Sequence, residues 1–262
     1  MGAWTQRQAD RENRGGTELF RTAPYQELVR DMVRWVEPAA GQRWLDLGCG
    51  EGALTAALWH KSQGQVAQIV AVDDAAWAGP AIERLRQRLS PPPLPGQIEF
   101  RRIAFADGLF DFEKASFDGA VSGLALAYLE YRDPATGKFT TRAFDRIFQE
   151  LRRVLKAGGQ LVLSLHVPDP DFWRLARETL EDGFRSGRLA RTLRGAWSLL
   201  RHGSRQKREA RRGRYHFLPL TDLARRLHQA GFQRLRYRLS CAGQAYVVAA
   251  SVPETAVRAL AA

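Results

Sequence analysis

RWLDLGCGEGALTAALWHK (43–61) decides the fold. Its centre, LDLGCGEG (45–52), joins a short apolar strand, RWLDL (43–47), to a helix, ALTAALWHK. Glycines at 48, 50 and 52 let the chain turn tightly and bring backbone against a ligand with no Cβ in the way. The N–H groups at the start of the following helix stay available to polar or anionic groups. A second strand, IVAVD (69–73), follows. The distance in sequence from Gly52 to Asp73 suits an acidic residue at that strand's carboxyl end, where it can accept from ribose hydroxyls. Asp46 stands on the first strand itself. A dinucleotide enzyme is the competing reading of such a loop, but it calls for G-x-G-x-x-G, and the spacing here is G-x-G-x-G.

The alternation continues outward from this unit. Residues 1–17 are polar, with a Gly-Gly pair, and are expected to form a flexible lead; from Glu18 to Val36 apolar residues recur at helical spacing. GPAIERLRQRL gives a second helix with Gly79-Pro80 at its start. IEFRRIAF (98–105) and FDGAVSGLAL (117–126) hold strands three and four. FTTRAFDRIFQELRRVL is a long amphipathic helix, with Gly158-Gly159 as its expected stop. QLVLSLHV is strand five, LTDLARRLHQAGF is a helix with Thr221 as its expected N-cap, and FQRLRYRLS and QAYVVAAS close the chain as two strands. Strands and helices in this order predict an α/β fold with a mostly parallel sheet covered on both faces. The Arg-rich stretch 168–216 interrupts the pattern and reads as a helical insertion within a single domain, 18–262.

LDLGCGEG, VAVD, FDGAVSGLALAYLE and RRVLKAGGQLVLS together resemble the successive motifs of the class I S-adenosylmethionine-dependent methyltransferases over residues 40–166. The resemblance implies a Rossmann-like sheet of seven strands with the last antiparallel, and S-adenosylmethionine as cofactor. It places Asp46, Gly48, Cys49, Gly50 and Gly52 at the methionyl end and Asp73 on the ribose. Asp74 occupies a position usually aliphatic in the family, so it either faces solvent or shares the ribose. Asp107 is expected at the adenine, with a backbone contact from Phe105, and Ser122 on strand four is a further candidate cofactor contact.

The acceptor side is read from strand ends. His166 ends strand five and is a candidate base, or else a half-buried structural histidine; Tyr128, just past strand four, is a candidate wall residue or a core aromatic. Tyr25 and Phe20 are candidates for a lid over the cofactor. The place after strand four reads SGLA, where amino-methylating nucleic-acid enzymes of similar fold carry a Pro-Pro-aromatic motif. Cys49 and Cys241 lack the Pro-Cys context of the cytosine C5 enzymes, and two distant cysteines make neither a disulfide framework nor a Cys-rich zinc site.

Composition bounds the rest. The 262 residues are 45% hydrophobic and 26% charged, enough apolar material for a core without staples. No apolar run reaches the ~20 residues of a membrane span, and the N-terminus has no signal-peptide pattern, so the expected location is cytoplasmic. The net charge of +12 suggests an anionic partner. From Arg174 to Arg214 there are thirteen Arg or Lys against four Asp or Glu, so nine of the twelve surplus charges sit in one segment. There Leu189, Leu193, Trp197 and Leu200 share one helical face while Arg188, Arg191, Arg194 and Arg201 crowd the others. A basic amphipathic helix with Trp reads as an element for an anionic membrane surface or an acidic carrier, or as a solvated cap. Phe172, Trp173, Phe184 and Trp197 are expected to wall an apolar substrate pocket. The expected activity is methylation of a small, apolar or lipid-like molecule. An RNA methyltransferase gripping phosphates through the Arg-rich segment is the alternative, and a non-catalytic module on the same fold is a third reading.

Overall fold

The computed structural model describes residues 22–104, 108–186 and 189–254. The N-terminal lead 1–17, Phe20, Phe105 and Asp107 lie outside the described residues.

The first described helix, α1 (Ala23–Trp35), starts at Thr22, whose hydroxyl caps the Tyr25 N–H at 3.4 Å. Strand β1 (Arg43–Leu47) leads through the glycine loop into α2 (Ala53–Lys61); β2 (Gln68–Asp73), α3 (Ala78–Arg86), β3 (Ile98–Arg102) and β4 (Phe117–Gly123) follow. A two-residue hairpin pairs Tyr131–Arg132 with Phe139–Thr140. Then come α4 (Arg142–Val154), β5 (Leu155–His166), α5 (Phe172–Ser186), α6 (Leu189–Arg211), α7 (Leu220–Gln229), β6 (Gln233–Ser240) and β7 (Ala245–Ser251). The sheet runs β3-β2-β1-β4-β5-β7-β6. The first five strands are parallel, and β7 is antiparallel to both neighbours. The strand order reverses between β1 and β4, the switch point beside which ligands bind in open α/β sheets.

Both faces are covered, so the central parallel strands are mostly apolar, while the edge strand β3, IEFRR, is only partly buried. On one face Leu45, Leu47, Val70 and Val72 pack against Phe144, Ile147 and Phe148 of α4 and Leu223 and Leu227 of α7. On the other Trp44, Ile69, Ala71 and Val121 pack against Leu28 and Met32 of α1, Leu58 of α2 and Ile82 of α3. Helix α1 is tied to the far edge of the sheet. Its buried Asp31 accepts from the Ser240 hydroxyl at 2.7 Å, and Glu27 accepts the Ala242 N–H at 3.0 Å.

Three local expectations are corrected. Gly158-Gly159 is not the stop of α4, which ends at Val154; these glycines lie inside β5, at a shift in its register with β4. Phe139 and Thr140 belong to the small hairpin instead of the helix. Thr221 is not the N-cap of α7, which begins one residue earlier with Pro219 at the cap position, its fixed φ starting the turn.

Candidate active site

The glycine loop closes on the ends of β1 and β2. Gly48 and Cys49 donate their N–H groups to Val72 O at 2.8 and 3.0 Å, folding the loop back over β2. Gly48, Gly50 and Gly52 all have left-handed φ, at 70°, 52° and 83°, the region where a side chain is strained. Gly52 carries a second constraint. A Cβ there would come within 2.6 and 2.8 Å of Leu85 and Ile82 on α3, and its N–H is given to Cys49 O at 2.8 Å. Gly52 therefore seats the loop on α3, with its Cα turned toward those side chains.

Asp73 organises the same loop. Its two oxygens accept from Gly50 N at 3.0 Å and Ala75 N at 2.9 Å. Burial raises the carboxyl above the usual range, against the pull of these two N–H groups. Asp74 is exposed, and its carbonyl accepts from the Arg102 guanidinium at 2.9 Å. Its side chain also reaches Asp73 and helps to raise that carboxyl.

Asp46 is fully buried in the middle of β1's end. One oxygen accepts the Thr55 hydroxyl at 2.6 Å; the other, Oδ1, is buried with no partner. Burial pushes its carboxyl up to about 7, with Thr55 opposing the shift. Tyr25 of α1 is buried close by, its hydroxyl 3.6 Å from the Cβ position of Gly123, with its ionisation driven upward by burial and by the Asp46 charge. Cys49 is buried and its thiol is likewise pushed up.

An orphaned, deeply buried carboxylate oxygen is costly unless a donor arrives to satisfy it. Beside it lie a left-handed glycine loop and an acid at the end of β2. This cradle fits a ligand that brings a cation to Asp46 and hydroxyls to Asp73. Ser122 is different: it is buried with its hydroxyl donated to Leu47 O at 2.8 Å, pinning β4 to β1.

Comparisons with known proteins agree with this geometry. The family model for a methyltransferase domain matches residues 45–163. Those residues form a class I, S-adenosylmethionine-dependent methyltransferase domain. S-adenosylmethionine is its methyl donor. An O-methyltransferase, cnsE, from Penicillium expansum is 31% identical over 154 residues, 57% of this chain and 48% of that protein. The chain thus spans about half the length of this curated relative. Two solved structures share the fold. The S-adenosylmethionine-dependent methyltransferase from Mesorhizobium loti has a TM-score of 0.54 at 16% identity, covering 89% of this chain and 99% of that one. The N-methyltransferase NodS from Bradyrhizobium japonicum, solved with S-adenosyl-L-homocysteine, has a TM-score of 0.55 at 15% identity, covering 90% and 91%.

On the acceptor side of this methyltransferase domain, His166 and Tyr128 do come together. His166 Nε2 lies 3.2 Å from the Tyr128 hydroxyl, at the carboxyl ends of β5 and β4. Both sit in an aromatic cluster. Tyr215 stacks edge-on to Tyr128 at 5.0 Å, Phe217 lies 4.9 Å from the His166 ring, and Phe172 lies 5.9 Å from it. His166 is only 1% exposed, and burial lowers its pKa to about 4, so it is neutral at physiological pH. The Gln244 backbone opposes that lowering, and Nδ1 is buried without a hydrogen-bond partner. A tautomer with its proton on Nδ1 leaves Nε2 to accept from Tyr128. An acceptor molecule cannot touch His166 directly in this conformation; Tyr128, partly exposed, stands in front of it.

Sequence reasoning missed Tyr215, His216 and Phe217. These residues return the chain from α6 to the mouth of the sheet. His216 donates its N–H to Ala127 O at 2.7 Å and holds Leu129 O through Nε2 at 2.8 Å, and Arg214 pairs with Glu130 at 2.8 Å. The aromatic run YHF was the available signal, but nothing local ties it to Tyr128. The expected wall of Phe172, Trp173, Phe184 and Trp197 is corrected. Only Phe172 turns inward, while Trp173, Phe184 and Trp197 are exposed. Helix periodicity separates them, because 172 and 173 lie 100° apart on α5.

Proposed function

We propose that the chain methylates a small, apolar or lipid-like acceptor bound against Tyr128. The observation that supports this best is the aromatic wall of Tyr128, Phe172, Tyr215 and Phe217 around a single polar pair at the ends of β4 and β5. Apolar surface with one oriented polar handle is the usual make-up of a small-molecule site. The RNA reading has its own supporting feature, the concentration of Arg in α6.

S-adenosylmethionine, when bound, supplies an electrophilic methyl on a sulfonium. Asp46 would hold the cationic methionyl end through Oδ1, Asp73 the ribose hydroxyls, and the backbone of Gly48, Cys49 and Gly50 the rest of the methionyl arm. Phe105 and Asp107 remain the proposed adenine contacts, and Asp74, exposed beside Asp73, either shares the ribose or faces solvent. Ser122 is assigned the structural role its bond to Leu47 O describes. Tyr128 would orient the acceptor by its hydroxyl oxygen, with its own proton held on His166 Nε2; His166 acts as a positioning residue behind it. The aromatic wall excludes water from the acceptor, which leaves in-line placement as the main demand.

Labelled methyl transfer into a cell extract, split into lipid, small-molecule and RNA fractions, tests the reading. Label is expected in an apolar or small-molecule fraction; label confined to RNA would overturn it. Tyr128→Phe is expected to lower turnover roughly 100-fold, the scale of a lost oriented proton partner, with S-adenosylmethionine affinity unchanged. His166→Ala should lower kcat less and raise KM little, and His166→Gln, which keeps an acceptor for the Tyr128 proton, should recover part of the loss. Equal turnover in Tyr128→Phe and the parent would remove Tyr128 from the site.

Asp46 gives a pH signature. Its raised pKa, about 7, means that near pH 6 it is mostly protonated without ligand. A cation arriving at Oδ1 favours the charged form, so binding releases a proton, and affinity rises from pH 6 to 8. Calorimetry in buffers of different ionisation heat would read that release. A pH-independent affinity in the parent would separate Asp46 from the cationic end.

A further inference from the structure

Helices α5 and α6 form an antiparallel hairpin whose contact line is set by small residues. Cβ atoms placed at Gly183 and Gly203 would collide with Thr192 and Phe172, and one at Gly195 would touch Thr179 at 4.0 Å. The inward stripes are therefore Phe172, Ala176, Thr179 and Gly183 on one helix and Thr192, Gly195, Leu199 and Gly203 on the other. About a quarter turn further round, at 100° per residue, α5 carries Trp173, Leu180 and Phe184, and α6 carries Leu193, Trp197 and Leu200. The helices are antiparallel, and the rotation from the contact stripe has the same sense on each. Both sets thus emerge on the same side of the hairpin.

That side is exposed. Trp173 is 74% accessible, Trp197 70%, Phe184 68% and Leu193 57%. Four large apolar side chains together on one face are unusual for a surface with no partner. They are bordered by Arg177, Arg194, Arg201 and Arg208. At the C-terminal end of α6, near the base of the hairpin, Ser204, Lys207, Arg208 and Arg211 line a shallow hollow of about 310 Å³, with Lys207 also paired to Asp169 at 2.7 Å. The acidic residue on this border, Glu181, is paired with Arg177 at 3.6 Å.

We propose that this face docks the protein on an anionic phospholipid surface, whichever acceptor the active site takes. The two indoles with Leu193 and Phe184 enter the headgroup boundary, where amphipathic rings are favoured. The Arg border meets lipid phosphates, and the hollow at Lys207, Arg208 and Arg211 takes a phosphate headgroup. Charge selects this occupant over a second copy of the chain, since two such faces brought together would set Arg against Arg.

The test uses the full chain and vesicles of phosphatidylcholine alone or mixed with phosphatidylglycerol, in a flotation assay. Binding is expected only to the anionic vesicles, with part of it surviving moderate salt through the apolar side chains. The double variant Trp173→Ala/Trp197→Ala changes only exposed side chains and should fold normally. It is expected to lower partitioning at least about tenfold while S-adenosylmethionine affinity stays the same. Arg208→Ala/Arg211→Ala should weaken binding to anionic vesicles and flatten its salt dependence. No binding to anionic vesicles, or equal binding by the Trp double variant, overturns the proposal. So does tight binding of a single-stranded RNA with a steep linear log–log salt slope in the absence of vesicle binding, which would assign the face to nucleic acid.

Discussion

Asp73→Ala is expected to weaken S-adenosylmethionine binding by about 10- to 150-fold, the scale of one or two hydrogen bonds to a charged acceptor. Two losses coincide in this variant. The carboxylate would no longer receive the ribose hydroxyls, and it would no longer hold Gly50 N at 3.0 Å and Ala75 N at 2.9 Å. The second loss loosens the glycine loop before any ligand arrives, so part of the penalty is ordering that loop on binding. Asp73→Asn keeps one acceptor oxygen and should fall between parent and Ala. Titration calorimetry reads the affinity, and a thermal melt without cofactor reads the loop's own contribution. Parent-like affinity in Asp73→Ala would remove this residue from the cofactor site.

Gly119→Ala is expected to cost roughly 3 kcal/mol of stability, at the upper end of overpacking effects. For a chain of this size that lowers Tm by about 6–12 °C. Gly119 pairs with Trp44 across β4 and β1, and an added Cβ would run into the indole. Trp44 is 1% exposed, and strands on both sides hold the backbone, so neither partner can step away. Trp44→Phe removes the far edge of the ring. In that background the added cost of Gly119→Ala should shrink, a coupling that a double-mutant cycle measures directly. An unchanged melt in Gly119→Ala would mean that the sheet relaxes here far more easily than its burial implies.

Much of this architecture was legible because it is local. The glycine loop, Asp46 and Asp73 come within one β-α-β unit, and their left-handed angles and hydrogen bonds follow from residues no more than 24 positions apart. The alternating strands were equally plain, since buried parallel strands are apolar runs. What escaped was set by distance along the chain. The partnership of Tyr128 with Tyr215 and Phe217 joins residues separated by the whole basic segment. The outward turn of Trp173 beside the inward Phe172 depends on which side of α5 meets α6, which is decided by Gly183, Thr192 and Gly203. Caps misread for the same reason: Pro219 starts α7 by its fixed φ, where Thr221 offered only a plausible side chain.

The excursion through α5 and α6 leaves the sheet at His166 and rejoins it at His216, two histidines that both lie against the strand-four loop. Its departure is fastened by Val167 N and Asp171 N to Gln244, and its return by His216 to Ala127 and Leu129. A segment whose two ends are anchored side by side is interchangeable, because closing a longer or shorter loop between fixed posts costs only the logarithm of its length. The cofactor loop can thus be kept while the excursion changes, but Phe172 and Tyr215 tie the acceptor wall to whatever replaces it. The donor half of such a protein and the segment that follows strand five are free to diverge at different rates.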